Sequence, residues 1–503
     1  MEINTLDDLD KLDLKIRQEI SKYRLGDVLY SLYQIKDSLL PFRAAGVALF
    51  AVRFSEPSIV SQNIKPLKNI QPIIELVTTY LLADPITFDQ ELENNFMGSN
   101  PAFVRLRLAY SQFPFEVSAF SQFSRPILLY HEIPNSLVGK AGIPKFDIHK
   151  EFLILNGVSI HEFINIGFAA SAFAKNNFAF SLKLFAKVRS QGISLLDDQA
   201  ISQVVHQLAG DQVKITTLYD KRKNTDRRFR MYDFNPLQTY PLIFPCKSKG
   251  FGNFGQDFIC APVPGLIDER MSLGIYYQLY NKFGQKFSNY FGYVLEEYLK
   301  LILNNSIASE KIIDIRDLDL GFKSPDYAII DGSVAIVLEC KATKFKLPAK
   351  TISSEEAIND SLEQVKRGLI QLDTLIEACK DPASNLDEFH ECSTFMPVLV
   401  TLEEMYLINS DDFRDYINNE LLKNKEFVNV DWQILSIGEL ERLQPHLAAG
   451  IHLSQVLQDL KHKSFNSVLK ELTSQTRKSF KDSFLYPKQK EVYQRLGLPD
   501  RSE

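Results

Sequence analysis

The sequence predicts an α/β fold in the C-terminal half, a mixed sheet flanked by helices, attached to a mostly helical α+β N-terminal half. Three observations predict it. From Leu6 to about Leu82 apolar residues recur at helical spacing. Two short runs rich in β-branched residues, Tyr327 to Ile330 and Val334 to Leu338, flank the turn signal Asp331-Gly332-Ser333. Around that hairpin the periodicities follow in the order helix, strand, strand, strand, helix, strand, strand.

A chain of 503 residues is long enough for two to four domains and a large core. With 45% hydrophobic and 24% charged residues it has the composition of a soluble globular protein, and no apolar run approaches the ~18 residues that span a bilayer. The start, Met-Glu-Ile-Asn-Thr-Leu-Asp-Asp-Leu-Asp, is too acidic for a signal peptide, so a cytoplasmic location is expected. The five cysteines, Cys246, Cys260, Cys340, Cys379 and Cys392, form no CxxC pair and are odd in number. They predict reduced thiols rather than a zinc site or a disulfide framework. The eight histidines give no HExxH and no paired metal spacing. A net charge of -6 argues against a protein that coats nucleic acid nonspecifically, though one face can still be basic. There is no internal repeat and no low-complexity tract.

In the N-terminal half Leu25, Val28, Leu29, Leu32 and Ile35 mark a helix face, and breaks fall at Pro41, Pro57, Pro66 and Pro72. Short helices and loops follow around Pro85, Pro101, Pro114, Pro126 and Pro134. Phe152 to Phe185 reads as buried strand and helix together, its Phe- and Ala-rich part as core. The densest basic segment contains Lys221, Arg222, Lys223, Arg227, Arg228 and Arg230. It fits a clamp on a phosphate backbone, with Phe229 or Tyr232 for stacking, and equally a solvated basic loop. Tyr240 to Pro245 reads as strand, and the Gly-rich stretch Lys249 to Gly255 lacks the Gly-Lys-Ser/Thr ending of a nucleotide P-loop. Pro262 to Pro264 looks like a linker, which places a domain boundary near residue 270.

In the C-terminal half Tyr276 to Asn304 reads as one helix with the apolar stripe Phe291, Val294, Leu295, Tyr298 and Ile302. Glu296 and Glu297 both lie off the stripe, and periodicity does not separate them. Lys311 to Ile315 is a short strand, followed by the hairpin. Ser354 opens a helix to about Cys379, with Ile358, Leu362, Val365, Leu369, Leu372 and Ile376 on one face and Gln364, Arg367 and Gln371 on the other. Phe395 to Leu402 and Val430 to Leu435 are two more strands, and Ser436 with Glu439 forms a capping box that opens another helix. A helical tail runs from Leu453 to Leu496; its Lys461, His462 and Lys463 suit nucleic-acid contact or a solvated surface alike.

The hairpin carries the chemistry. A two-residue loop at Gly332-Ser333 pairs Asp331 with Val334, and counting outward pairs Asp326 with Glu339 at the open end. Lys341, two residues on, returns to the same face. Two carboxylates with a lysine suit a hard cation such as Mg²⁺ acting on a phosphate, the ammonium steadying developing negative charge. Here the residues resemble the PD-(D/E)xK nucleases of restriction-endonuclease-like fold: Pro325-Asp326 matches the first signature and Glu339-Cys340-Lys341 the second.

The resemblance covers residues from about 285 to 440 and implies phosphodiester hydrolysis with Mg²⁺, for which Mn²⁺ substitutes. It implies Asp326 and Glu339 as metal ligands and Lys341 as a catalytic residue. Gly292-Tyr293-Val294-Leu295-Glu296-Glu297-Tyr298 is similar to the Gly-x-x-Phe-Glu-x-Tyr pattern of such nucleases, with Leu295 departing from Phe, and this points to Glu296 as a further site acid. Family members also place a glutamine on the later helix, here Gln364 or Gln371. The domain map expected is an N-terminal recognition or regulatory region (1–270), a nuclease domain (271–450) and a helical tail (451–503). The N-terminal region is also where a second copy or a protein partner would bind. DNA is favoured over RNA as substrate, and restriction or anti-phage defence is a setting by analogy. The competing reading is a nucleic-acid-binding or sensor protein that keeps the scaffold without cleaving.

Overall fold

The computed structural model describes residues 3–57, 64–89, 101–115, 124–189, 197–245, 259–318, 320–381, 384, 386–422 and 431–495. Cys246 and the Gly-rich stretch Lys249 to Gly255 lie outside the described residues. The described chain is mostly helical, with two small mixed sheets.

The opening is four packed helices: α1 (Leu6–Ile20), α2 (Leu25–Gln34), α3 (Pro41–Phe54) and α4 (Gln71–Leu81). Thr5 caps α1 by accepting from the Asp8 N–H. Pro41 and Pro72 begin α3 and α4, where the missing N–H has no partner to lose, so these prolines start helices rather than merely interrupting them. The faces that meet bury Leu12, Ile16, Val28, Val47 and Val77. Helix α5 (Ile160–Asn176), opened by a Ser159–Glu162 capping box, buries Phe163, Phe168 and Ala170 as its composition predicts.

Four two-residue strands form the first sheet: β1 (Ala179–Phe180), β2 (Ala209–Gly210), β3 (Leu242–Ile243) and β4 (Ile259–Cys260), in the order β1-β4-β3-β2. The segment after β4 is not an exposed linker. Ala261 and Val263 are buried there, and the chain turns directly into α6 (Gly265–Met271), within which the boundary expected near residue 270 falls. No single helix among the described residues is long and apolar enough to cross a membrane. Helix Ile148–Asn156 and α5 satisfy length and composition together, but they meet at 59° and bury Phe152, Phe163 and Ile166 in the protein core.

The single helix predicted for Tyr276 to Asn304 is two, α7 (Leu273–Phe283) and α8 (Gln285–Asn304). Gly284, at φ +54, takes the left-handed conformation that breaks them apart. The second sheet follows: β5 (Ile312–Asp314), β6 (Tyr327–Asp331), β7 (Val334–Lys341), β8 (Thr394–Thr401) and β9 (Gln433–Ser436), in sequence order. β5, β6 and β7 pair antiparallel, whereas β7, β8 and β9 pair parallel. The parallel step requires a crossover, which α9 (Leu347–Thr351) and the long α10 (Glu355–Lys380) supply. Ser354 caps α10, and the Ser436–Glu439 capping box opens α11 (Ile437–Leu447), both as predicted.

Strand alternation sorts the sheet into two faces. Ala328, Ala335, Val337, Leu399 and Ile434 pack with Ile358, Leu362 and Val365 of α10. Tyr327, Ile336, Leu338, Cys340 and Val400 pack with Phe291, Val294 and Tyr298 of α8. That second core also takes in Ile164, Met271 and Ile275, and Leu472 and Leu485 of the tail, so it runs unbroken from the N-terminal half to the last helices.

Candidate functional site

The hairpin forms in the predicted register. Asp331 pairs with Val334 and Tyr327 with Leu338, and Gly332 at φ +62 makes the turn. Just beyond the last pair the Asp326 N–H donates to the Leu338 carbonyl at 3.0 Å and the Ile315 N–H donates to the Asp326 carbonyl at 3.0 Å. Asp326 is therefore held from both sides at the open end, beside Glu339. Its Oδ2 accepts from the Cys340 N–H at 2.7 Å.

Both acids are buried, Asp326 to 7% exposure and Glu339 to 1%. Glu339 Oε1 is paired with the Lys341 ammonium, and Oε2 is buried with no hydrogen-bond partner. Burial raises both carboxyls well above the usual range. For Asp326 the charge of Glu339 adds to it, and for Glu339 the Lys341 ammonium opposes it. Glu339 faces α10 at Gly368. A Cβ at Gly368 would lie 2.5 Å from Leu399 Cδ1 and 3.5 Å from Glu339 Cγ, so the helix approaches the strand this closely only with glycine there.

The structure separates the two glutamates that periodicity leaves together. Glu296, on α8, is pushed up to about 7 by burial and then by the charge of Asp326, and its own charge raises Glu339 in turn. Arg316 binds both glutamates, at 3.3 Å to Glu296 Oε2 and 3.1 Å to Glu297 Oε1, and also Asp314 at 2.8 Å. The Tyr327 hydroxyl donates to the Glu296 carbonyl at 3.2 Å, tying α8 to the start of β6. Of the two glutamines, Gln364 is exposed. Gln371 is the buried one, and its Nε2 donates to the Ser324 carbonyl at 3.1 Å, fastening the approach to Asp326.

The basic segment is placed elsewhere, beside α1. Arg227 bonds Asp10 at 2.7 Å, Arg230 pairs with the same carboxylate, and Arg228 spans Asp89 at 3.0 Å and Asp226 at 2.7 Å. Phe229 and Tyr232, expected to be available for stacking, are each 4% exposed and belong to the N-terminal core. Lys221, Arg222, Lys223 and Arg227 are exposed, and Lys223 pairs with Asp220 at 3.0 Å. In the tail, Lys461 pairs with Asp431 and Lys463 with Glu471.

Sequence reasoning missed Arg316 and Gly368. Nothing local announces that Arg316 reaches a helix twenty residues earlier. Gly368 does leave a trace, since a glycine inside a long helical pattern usually has a packing reason.

Among the described residues no group of three or more His, Cys, Asp and Glu side chains is arranged to hold a metal ion. The donors gathered here fit a cation of another coordination habit. Mg²⁺ is commonly held by one or two carboxylates, with waters and substrate phosphates completing its shell, and Glu339 Oε2 is a buried acceptor that lacks a partner. Comparison of the chain with protein-family models, curated proteins and solved structures finds no match.

Proposed function

We propose that the chain is a Mg²⁺-dependent nuclease that hydrolyses phosphodiester bonds, with DNA the favoured substrate, and that its C-terminal sheet is a restriction-endonuclease-like fold. The observation that carries the reading is the meeting of Asp326, Glu339 and Lys341 at one strand end, with an unpartnered Glu339 oxygen buried among them. The sheet order, with an antiparallel hairpin joined to parallel strands through α10, and the proximity of Glu296 support it.

Asp326 and Glu339 would hold the cation, which when bound polarises phosphate and lowers the pKa of water. Lys341 places a positive charge where an attacking hydroxide and the phosphate oxygens gather negative charge. Glu296, pushed up to about 7 by burial, titrates near neutral pH, which suits a group that passes protons to or from the site. Gln371 and Gly368 position the acids from behind. Phosphate-backbone contacts fall to the exposed Lys221, Arg222, Lys223 and Arg227, with Arg228 and Arg230 serving mainly to build the segment.

The test is incubation of the purified chain with plasmid, linear duplex, single strands and RNA in Mg²⁺, Mn²⁺ or EDTA. Cleavage in either metal that EDTA and Glu339→Ala both abolish supports the reading. Absence of metal-dependent cleavage of every substrate, or cleavage by Glu339→Ala at the wild-type rate, overturns it.

A further inference from the structure

Between the N-terminal helices and the segment that leaves β7 lies a cavity of about 600 Å³, within the range of small-molecule sites. Its walls come from α3, α4, the turn Arg227–Tyr232, α6, α7 and the stretch Lys344–Thr351. Seven basic side chains line it against three carboxylates, in a chain whose net charge is -6. Such a local excess of positive charge favours an anion.

Two of the three acids of this wall are better satisfied than its arginines. Glu403 pairs with Lys350 and accepts from the Tyr277 hydroxyl at 2.5 Å, and Asp233 accepts from the Tyr219 hydroxyl and from the Asn224 N–H. The guanidinium groups are not so provided for. Arg270 is 8% exposed; its Nη2 donates to Gln278 at 3.2 Å, while its Nη1 is buried with no partner. Arg230 pairs with Asp10 but leaves Nε and Nη2 unpartnered, and Arg53, which stacks on the Tyr219 ring, leaves Nε. Buried charged donors without acceptors are costly, and a ligand bearing several oxygens removes that cost.

The rest of the wall says what the anion is attached to. Lys344 Nζ stands 3.5 Å from the Tyr277 ring centroid and 5.1 Å from that of Tyr280. Tyr80, Phe234 and Tyr280 give the cavity flat apolar faces, and Asn235, Gln238 and Asn281 add side-chain amides. Aromatic faces stack with any base, and amides pair with base edges. We propose that this cavity binds a phosphorylated nucleoside, the phosphate taken by Arg53, Arg230 and Arg270 and the base by the aromatic and amide wall. The binding does not depend on the nuclease reading of the strand-end acids. A free nucleotide and the phosphorylated end of a nucleic-acid strand share the chemistry.

Calorimetry on the full chain tests it, with AMP, GMP, ATP, GTP and a 5′-phosphorylated oligonucleotide as probes and adenosine, guanosine and pyrophosphate as comparisons. At least one phosphorylated probe is expected to bind about tenfold or more tightly than its nucleoside and than pyrophosphate. Whichever probe binds tells the free nucleotide from the strand end. Arg270→Gln is expected to weaken that probe about tenfold or more. Where circular dichroism shows Arg270→Gln to be unfolded, the exposed lining variant Arg222→Gln is used instead, with a severalfold loss expected. The proposal is overturned when no phosphorylated probe binds below about 1 mM, when pyrophosphate or a nucleoside binds as tightly, or when the best probe binds a folded variant unchanged.

Discussion

At the open end of the hairpin, two buried carboxylates share one patch with an ammonium, and each residue there has its own expected signature. Asp326→Ala and Glu339→Ala change buried side chains at the end of the sheet and are expected to abolish cleavage and Mn²⁺ binding while the circular dichroism spectrum is kept. Without metal, either variant should melt higher than wild type, because one of two adjacent acids has gone. If the proposed function holds, Lys341→Met should cut the rate by orders of magnitude while Mn²⁺ binding persists or tightens, since the lysine would then stabilise charge that develops only in the transition state. A variant that loses metal as completely as Glu339→Ala does would contradict that role. Lys344, nearby in sequence, offers a pH test. Burial holds its ammonium down to about 7, against an ordinary value of 10.5. Between those values the unfolded chain binds the proton and the folded chain does not, so stability owed to this residue rises with pH across that window. The difference in unfolding free energy between wild type and Lys344→Met, followed from pH 7 upward by denaturant titration, should therefore shift in favour of wild type; a flat difference would count against the buried lysine.

The secondary-structure elements are where most can be read in advance, and the reasons are local. β-branched runs around Asp331-Gly332-Ser333 specify a hairpin, and the period of two then carries the register out to Tyr327 and Leu338, the residues next to Asp326 and Glu339, without tertiary information. Ser354 and the Ser436–Glu439 pair mark helix starts because a side-chain oxygen satisfies backbone N–H groups within three residues. The break at Gly284 is hidden because the apolar stripe resumes in nearly the same phase after it. What α10 does at Gly368 is illegible too, since it depends on Leu399, from another strand. Gly368→Val is expected to destabilise the fold by about 1–3 kcal/mol through overpacking and to weaken Mn²⁺ binding by displacing Glu339. Unchanged melting and metal affinity would show that the close approach is unimportant. The basic segment divides in the same way. Replacing the exposed Lys221, Lys223 and Arg227 with alanine should lower the log-log salt slope of DNA binding by about one unit for each phosphate that is no longer neutralised. Arg230→Ala should instead lower the melting temperature, because it strips a partner from Asp10.

At the scale of the whole molecule, the sequence says least, because what joins the parts is made of pairs far apart in the chain. Arg125, at the start of the described residues beyond 123, is locked to Glu441 at 2.7 Å, and Tyr298 donates to the same carboxylate at 2.6 Å. Arg107 meets Asp84 at 2.9 Å in the N-terminal half and also reaches the Ile352 carbonyl at 3.4 Å. Neither pairing follows from periodicity, and with the shared core they join the N-terminal helices to the sheet. The cavity walls likewise come from segments far apart in the chain, from Phe42 to Glu403, so no stretch of sequence announces it.

One short run of backbone, Ala342 and Thr343, separates the last strand-end lysine from the cavity wall. Metal at one end of that run and nucleotide at the other would each restrict the same few dihedral angles. Whatever factor the nucleotide applies to cation affinity, the cation must apply to nucleotide affinity, because the free energy of the doubly bound state does not depend on the order of arrival. A cell's magnesium level and its nucleotide level would then report on each other through a single strand end.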